Sequence, residues 1–382
     1  MRQIESPHFS CIDLFCGCGG NSWGMLLKNG SRILQPILAL DINPTALMTY
    51  HWNMPTVDTL LADIRTVDLK DLLGRIGLAK GQLGCLIASP PCQSYSRNYR
   101  LPRDTNDHRH TLYKRTLEVI ETVQPWTVFM ENVPEMKTYD SKRYHKDFLE
   151  QLEQLGYVGD SWIVDAAAYG VPQHRNRLIY LAYRKEMGKQ PLLPQETHGE
   201  TPGLVPWVNV QDAIEDLPRR QAGCGKSWFV YNPAPLLSSS YARKMRRTSR
   251  AIVTNHNARR LNELQMRRLQ YLREGQDYGD LPSSLRPKNG YKASYGRLWR
   301  SKPAPTLTTF LSYPGSGRFS HYEQDRVITI REALRLQSFD DRFRVLGILI
   351  EQSAQVGNAV PPLLAAAFRK VIVAELEDYF GA

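Results

Sequence analysis

What the 382-residue sequence lacks narrows its function before any motif is read. Its six cysteines (Cys11, Cys16, Cys18, Cys85, Cys92, Cys224) form no C-x-x-C pair and no zinc-ligand spacing with histidine. No metal site is therefore expected, and a reducing cytosol is the simplest setting. No apolar run reaches the ~20 residues of a membrane-spanning helix, and Met1-Arg2-Gln3-Ile4-Glu5 does not open a signal peptide. Internal repeats and low-complexity tracts are also missing. A phosphate cradle is absent too. The glycine turn Cys16-Gly17-Cys18-Gly19-Gly20 is followed by Ser22 where the dinucleotide fingerprint has its third glycine, and no Lys-Ser/Thr makes a P-loop. Such a turn fits an adenosine cofactor without a pyrophosphate, although a lone glycine turn specifies little by itself.

The length allows one large domain plus a smaller one. The net charge of +11 is unevenly placed: residues 191–349 carry 25 Lys and Arg against 14 Asp and Glu, so the rest of the chain is neutral. Within 219–302 there are 19 basic and 4 acidic residues. A charge run is often only a solvated face, but an excess this concentrated reads as a footprint for a polyanion, nucleic acid first. Aromatic residues from Trp207 to Trp299 are interleaved with the charges, periodicity fades, and Arg243, Lys244, Arg246 and Arg247 suit phosphates.

The first 190 residues read as alternating strands and helices. Ser10-Cys11-Ile12-Asp13-Leu14-Phe15 predicts a buried strand, running through the glycine turn into a helix near Met25. A second strand over 33–40 ends in Asp41, where a carboxylate can reach ribose hydroxyls. A third over 57–64 carries Asp63, which suits an adenine amino group or, equally, a helix cap. Gly84-Cys85-Leu86-Ile87-Ala88 predicts a fourth strand, stopped by Pro90 and Pro91 just before Cys92. A cysteine on a stiff turn at the carboxyl edge of a sheet suits a nucleophile; a buried structural thiol fits the local pattern as well.

The polar stretch 93–110, with Arg97, Arg100, Arg103 and Arg109, reads as a lid over that edge, followed by a helix over 111–123. Thr127-Val128-Phe129-Met130-Glu131-Asn132 predicts a buried strand whose Glu131 needs a partner or a proton. In the strand expected after Tyr169, alternation would put Gln173, Arg175 and Arg177 on one face, suited to an anion or to Glu131.

Taken together and in order, these pieces resemble the DNA (cytosine-5)-methyltransferase family over the whole chain outside 191–295. The resemblance is carried by Asp13-Leu14-Phe15-Cys16-Gly17-Cys18-Gly19-Gly20, Pro91-Cys92-Gln93 with Ser96, Glu131-Asn132-Val133 and Gln173-His174-Arg175-Asn176-Arg177. Two later blocks complete it, Arg331-Glu332-Ala333-Leu334-Arg335-Leu336-Gln337-Ser338-Phe339 and Gln355-Val356-Gly357-Asn358-Ala359-Val360-Pro361. It implies an α/β fold: a Rossmann-like S-adenosylmethionine-dependent methyltransferase domain over 1–190, completed by 350–382, with a smaller basic target-recognition domain over 191–349. The segment 357–360 and the final helix would fold back onto the first domain.

The resemblance also implies roles. Asp13, Phe15, Gly17, Gly19, Gly20, Asp41, Ile42, Asp63, Ile64, Asn358, Ala359 and Val360 would bind S-adenosylmethionine, leaving S-adenosylhomocysteine as product. Asp41 departs from the family's usual glutamate there. Cys92 would add to cytosine C6, Glu131 would hold the N3 proton, and Arg175 and Arg177 would lie near the base. Gln93, Ser96, Arg97 and Gln173, with the basic cluster at 243–247, would contact double-stranded DNA, and the target base would be flipped out of the helix.

A monomer in a bacterial or phage-type, nucleoid-associated cytosol is expected, with a separately acting restriction endonuclease as a compatible partner. The same chemistry on tRNA, a catalytically silent DNA-binding relative and a nicotinamide oxidoreductase are the competing readings. The long basic insert opposes the first and the intact set Cys92, Glu131, Arg175 and Arg177 the second; Ser22 and the basic region oppose the third.

Overall fold

The computed structural model describes residues 6–28, 30–91, 112–223, 228–230, 239–246 and 252–381. Two compact units emerge. The first comprises 1–165, 176–195 and 362–382; the second comprises 166–175 and 196–361.

The first unit is built on a seven-stranded sheet: β1 (Ser10–Leu14), β2 (Gln35–Asp41), β3 (Asp58–Leu61), β4 (Cys85–Ala88), β5 (Thr127–Asn132), β6 (Tyr157–Asp165) and β7 (Asn176–Arg184). Its order is β3-β2-β1-β4-β5-β7-β6. The first five strands run parallel, and β7 is antiparallel to both β5 and β6. β1, β4 and β5 are buried along their whole length, as expected for strands covered on both faces. Leu14, Leu40, Ala88 and Met130 lie level across β1, β2, β4 and β5, so the glycine turn, Asp41, Ser89 and Glu131 all leave one edge of the sheet. The strand order reverses between β1 and β4, the switch point at which open α/β sheets bind ligands.

Helices α1 (Gly20–Leu26), α2 (Pro44–Asn53), α3 (Leu69–Ile76), α4 (Leu112–Val123) and α5 (Arg143–Gln154) connect the strands. The last helix of the chain, Pro362–Phe380, returns to this unit and packs on α1. Gly24 is required there, because a Cβ would sit 2.5 Å from the Pro362 carbonyl oxygen and 2.6 Å from Ala365 Cβ. Arg369 from the same helix donates to Met25 O at 3.1 Å and to Ser31 Oγ at 2.9 Å, satisfying the end of α1.

The second unit differs in kind. It holds α6 (Val210–Ile214), a two-stranded ladder of β8 (Trp228–Val230) and β9 (Ile252–Thr254), α7 (Ser240–Arg246), α8 (Glu263–Tyr271), α9 (Ile330–Leu336) and α10 (Leu349–Asn358); the final helix is α11 (Pro362–Phe380). Arginines occupy its interior. Arg335 is fully buried between Asp216 and Asp341. Arg326 makes paired bonds to Glu332 at 2.7 and 2.8 Å, and Arg331 donates to Thr254 O and Phe343 O. Apolar periodicity fades in this region because hydrogen-bonded guanidinium groups take the place of an apolar stripe.

Two histidines share this interior. His256 donates Nε2–H to Pro218 O, and His321 Nδ1 accepts from the backbone of Glu323 and Gln324. Burial holds both neutral, lowering His256 to about 4 and His321 to about 3. Such groups contribute stability above ~6.5, and it is lost as pH falls toward the folded values, on the order of 2 kcal/mol for each at pH 5. His256→Gln is therefore expected to show a smaller drop in denaturation midpoint between pH 7 and pH 5 than the wild type. Equal drops would contradict this account.

The units place two boundaries differently from the sequence reading. Residues 191–195 stay with the first unit, and 350–361, expected to complete the first domain, belong to the second. Gly357 abuts the backbone of Thr308 and Thr309, and Gln337 Nε2 donates to Val356 O at 2.7 Å, which fastens this stretch locally. The final helix, α11, clusters with the first unit.

Candidate active site

β1 cannot continue past Leu14, since Phe15 takes φ 56° and Gly17 φ 53°. The turn is held by backbone bonds from Cys16 N to Leu40 O and from Gly19 N to Cys16 O. Gly19, at φ 95°, has no room for a side chain, because a Cβ would lie 2.5 Å from Met54 Cε and 2.7 Å from Tyr50 Cδ2. At Gly17 a Cβ would meet nothing within 4 Å, so this part of the turn borders open space. Asp41 accepts from Gly17 N at 2.8 Å through Oδ2 and from Asn43 N at 2.8 Å through Oδ1. Burial raises its pKa while these backbone bonds oppose the rise. Beside it, Ile42 is 64% exposed, an apolar surface just past the end of β2.

Asp13 differs from the other acids of this edge. It is fully buried, accepts from Ser22 Oγ at 2.6 Å, and leaves Oδ1 without a hydrogen-bond partner. Tyr50 in turn donates to Ser22 Oγ at 2.7 Å. Burial pushes the Asp13 carboxyl up to about 7. Asp63 engages Arg65 through both carboxylate oxygens, and Ile64 is buried with its carbonyl accepting from Arg115 Nε. The residues present fit an adenosine-bearing cofactor: open space at Gly17, the exposed Ile42 and the Asp41 carboxylate. Asn358 is exposed at the end of α10, while Ala359 and Val360 are buried in the second unit.

The edge expected to carry the nucleophile lies at the ends of β4 and β5. Ser89 N donates to Leu14 O, and Asn132 Nδ2 donates to Pro90 O at 3.3 Å, so the base of the Pro-Pro-Cys turn is held from two strands. Cys92, Gln93, Ser96 and Arg97 lie outside the described residues, as do Arg247 and the lid expected over 93–110. The cysteines that are described (Cys11, Cys16, Cys18 and Cys85) are buried. Burial pushes Cys18 and Cys85 to about 12, so both are thiols at neutral pH. Glu131 is 8% exposed, and its Oε1 lies 2.8 Å from Arg177 Nε. Both sit on adjacent strands, β5 and β7.

The expectation that Gln173, Arg175 and Arg177 share one strand face is corrected. β7 begins only at Asn176, and 166–175 belong to the second unit. Arg175 is buried and donates to the carbonyls of Leu307, Gly357 and Ala359, whereas Arg177 is the one that pairs with Glu131. Gln173 is fully buried, with its amide engaged by Leu336 O, Gln337 Oε1 and Leu307 N. Of the basic cluster, Arg243 and Lys244 are exposed on α7, whereas Arg246 is half-buried and paired with Asp216. Asn132 and Asn21 were given no role by the sequence; each follows a motif residue, but only the fold shows what its amide reaches.

The charge reading survives a harder test. Six arginines of 191–349 are buried among the described residues (Arg268, Arg297, Arg318, Arg326, Arg331, Arg335), together with five carboxylates, Asp216, Asp277, Glu332, Asp340 and Asp341. Removing six from 25 and five from 14 leaves 19 basic against 9 acidic residues, so the interior consumes almost none of the excess.

Comparison with known proteins agrees with this geometry. The sequence model of the C-5 cytosine-specific DNA methylases matches residues 9–374. The type II methyltransferase M1.HphI of Haemophilus parahaemolyticus is 32% identical over 363 residues, covering 95% of this chain and 86% of that protein. M.DdeI of Desulfomicrobium norvegicum is 31% identical over 385 residues, covering 94% and 88%. Among solved structures, one described as a DNA modification methyltransferase encoded within an E. coli prophage superposes with a TM-score of 0.76 at 22% identity, covering 98% of this chain and 99% of that one. The chain belongs to the C-5 cytosine-specific DNA methylase family.

Proposed function

We propose that this DNA cytosine-5 methyltransferase modifies a flipped-out cytosine within one specific duplex sequence, through a covalent bond between Cys92 and C6. The observation that carries the reading is the Glu131–Arg177 pair, buried at the edge where Asn132 holds the carbonyl of Pro90, two residues before Cys92. When bound, S-adenosylmethionine supplies an electrophilic methyl group. The 15–20 turn, Asp41 with Ile42, and Asp63 with Ile64 would hold it.

C5 of cytosine is a weak nucleophile. The Cys92 thiolate adds to C6, and the C5–C6 π electrons become available at C5. Glu131 gives N3 a proton during that addition, and Arg177 holds the Glu131 carboxyl in place. After C5 gains the methyl group, a base takes the C5 proton, N3 returns its proton to Glu131 and the S–C6 bond breaks, which restores the aromatic ring, the Glu131 acid and the thiolate. Asp13 is assigned to the turn from beneath, bracing it rather than touching the cofactor.

The second unit is assigned target recognition. Its excess charge binds the phosphate backbone, with Arg243 and Lys244 as exposed contacts. Replacing both by alanine is expected to weaken binding to all duplexes alike and to reduce the slope of log affinity against log salt by about 2. An unchanged slope would remove α7 from the interface. The protein acts as a monomer in a bacterial or phage-type cytosol, beside a separately acting restriction endonuclease. No helix among the described residues is long and apolar enough to cross a membrane.

Bisulfite sequencing of DNA from cells expressing the chain tests the whole reading: protected cytosines should fall in one sequence context. Methylation confined to tRNA would transfer the activity to RNA.

A further inference from the structure

The glycine turn and the strand end that leads to Cys92 are joined by one side-chain hydrogen bond. Asn21, in the first turn of α1, donates Nδ2–H to Ser89 Oγ at 3.0 Å across 68 residues of sequence. Asn21 is buried, and its Oδ1 has no hydrogen-bond partner. A buried amide satisfied at one end only costs stability. Residues that break a local rule in this way gather at functional sites.

The neighbouring contacts make this bond a rigid link. Ser22, next to Asn21, is fixed by the buried chain from Tyr50 through Ser22 to Asp13, so the first turn of α1 cannot slide freely. Ser89 is held through its own N–H by Leu14 O, and Pro90 O by Asn132. Only Pro90 and Pro91 separate Ser89 from Cys92, and each fixes φ near about −65°. A shift at Ser89 therefore passes along Pro90 and Pro91 with little slack.

We infer that Asn21 is a positioning residue: through Ser89 it holds the base of the nucleophile's turn in register with the glycine turn that carries the methyl donor. The inference rests on the assignment of Cys92 as nucleophile. It predicts an effect on the addition step and not on either ligand's affinity, because Asn21 and Ser89 align groups already bound.

The full-length protein tests it with Ser89→Ala, which removes one oxygen at a half-buried position, with Asn21→Ala, and with the double variant. The central readout is release of tritium from C5 of cytosine in duplex DNA with S-adenosylhomocysteine bound. The Cys92 thiolate adds to C6, C5 takes a proton from solvent, tritium leaves C5 as a cation, and the thiolate is expelled. No methyl transfer or oxidant is involved. Turnover, KM, and the affinities for S-adenosylhomocysteine and DNA complete the set.

Each single variant should lose roughly ten- to a hundredfold in exchange and in kcat, since a displacement near 1 Å at a reacting group costs up to ~10²-fold. Both affinities should stay as in the wild type, and the double variant should be no slower than the slower single one. Wild-type exchange in Ser89→Ala, losses that multiply in the double variant, or a kcat loss matched by an equal loss of S-adenosylhomocysteine affinity would each overturn the inference. If Asn21→Ala does not fold, Ser89→Ala alone decides by its exchange and affinities. Exchange that persists in Cys92→Ala would discard the nucleophile assignment; exchange lost there but intact in Ser89→Ala discards only the link.

Discussion

Glu131→Gln is expected to lower turnover by ~10²–10⁴-fold, the range that a positioned general acid supplies, while binding of S-adenosylhomocysteine and duplex DNA persists. Gln has nearly the same volume and can donate an N–H to N3, so the base should still dock. It has no proton to give, and the addition of a thiolate to C6 then builds negative charge on the ring without relief. The structure adds a second consequence. Glu131 and Arg177 are both largely buried and lie 2.8 Å apart, so the substitution leaves a guanidinium without its counter-charge. Breaking such a pair costs about 3–5 kcal/mol when one charge is stranded; Gln Oε1 can still accept from Arg177 Nε, which limits the loss. A thermal melt run beside the kinetics separates the two effects. The account requires a folded variant that binds both ligands and turns over slowly; near-normal turnover would remove Glu131 from the chemistry.

Much of the first unit was legible because its strands are short apolar runs that end where chemistry-bearing residues begin. β1, β4 and β5 fall where Ser10-Cys11-Ile12, Cys85-Leu86-Ile87 and Thr127-Val128-Phe129 place them. The second strand starts at Gln35 and the third covers only Asp58–Leu61, since boundaries depend on hydrogen bonds that no periodicity records. The segment 173–177 was misread for a different reason. Alternation is a property of a strand, and the chain passes between compact units at Asn176, so Arg175 and Arg177 serve different interiors.

The arginine-rich stretch was legible as charge but not as architecture. Arg326, Arg331 and Arg335 look like surface cations in the sequence, yet each is buried with carboxylate or carbonyl partners. Only the partners reveal it, and Glu332 or Asp341 cannot be paired to them by spacing alone. Asn21 was silent for the same reason, its partner lying 68 residues away.

The fourth strand carries the most direct discrimination. Cys85 and Cys92 stand seven residues apart, and only one of them can be the nucleophile. Cys85 is fully buried in β4, beside Thr127 and Cys11, and burial raises it to about 12. Cys92→Ala is accordingly expected to abolish turnover, since without the thiolate C5 stays a weak nucleophile, whereas Cys85→Ala should remain active.

A duplex containing 5-fluorocytosine at the target position gives the sharpest reading. With S-adenosylmethionine present, Cys92 adds to C6 and C5 receives the methyl group, but fluorine stands where the departing proton would be. Elimination stops, and the S–C6 bond persists. The measurement is a denaturing gel of protein mixed with that duplex. The account predicts a denaturant-resistant protein–DNA adduct that needs S-adenosylmethionine, survives in Cys85→Ala and disappears in Cys92→Ala. An adduct that forms with Cys92→Ala, or turnover that survives in that variant, would contradict the covalent mechanism at its centre.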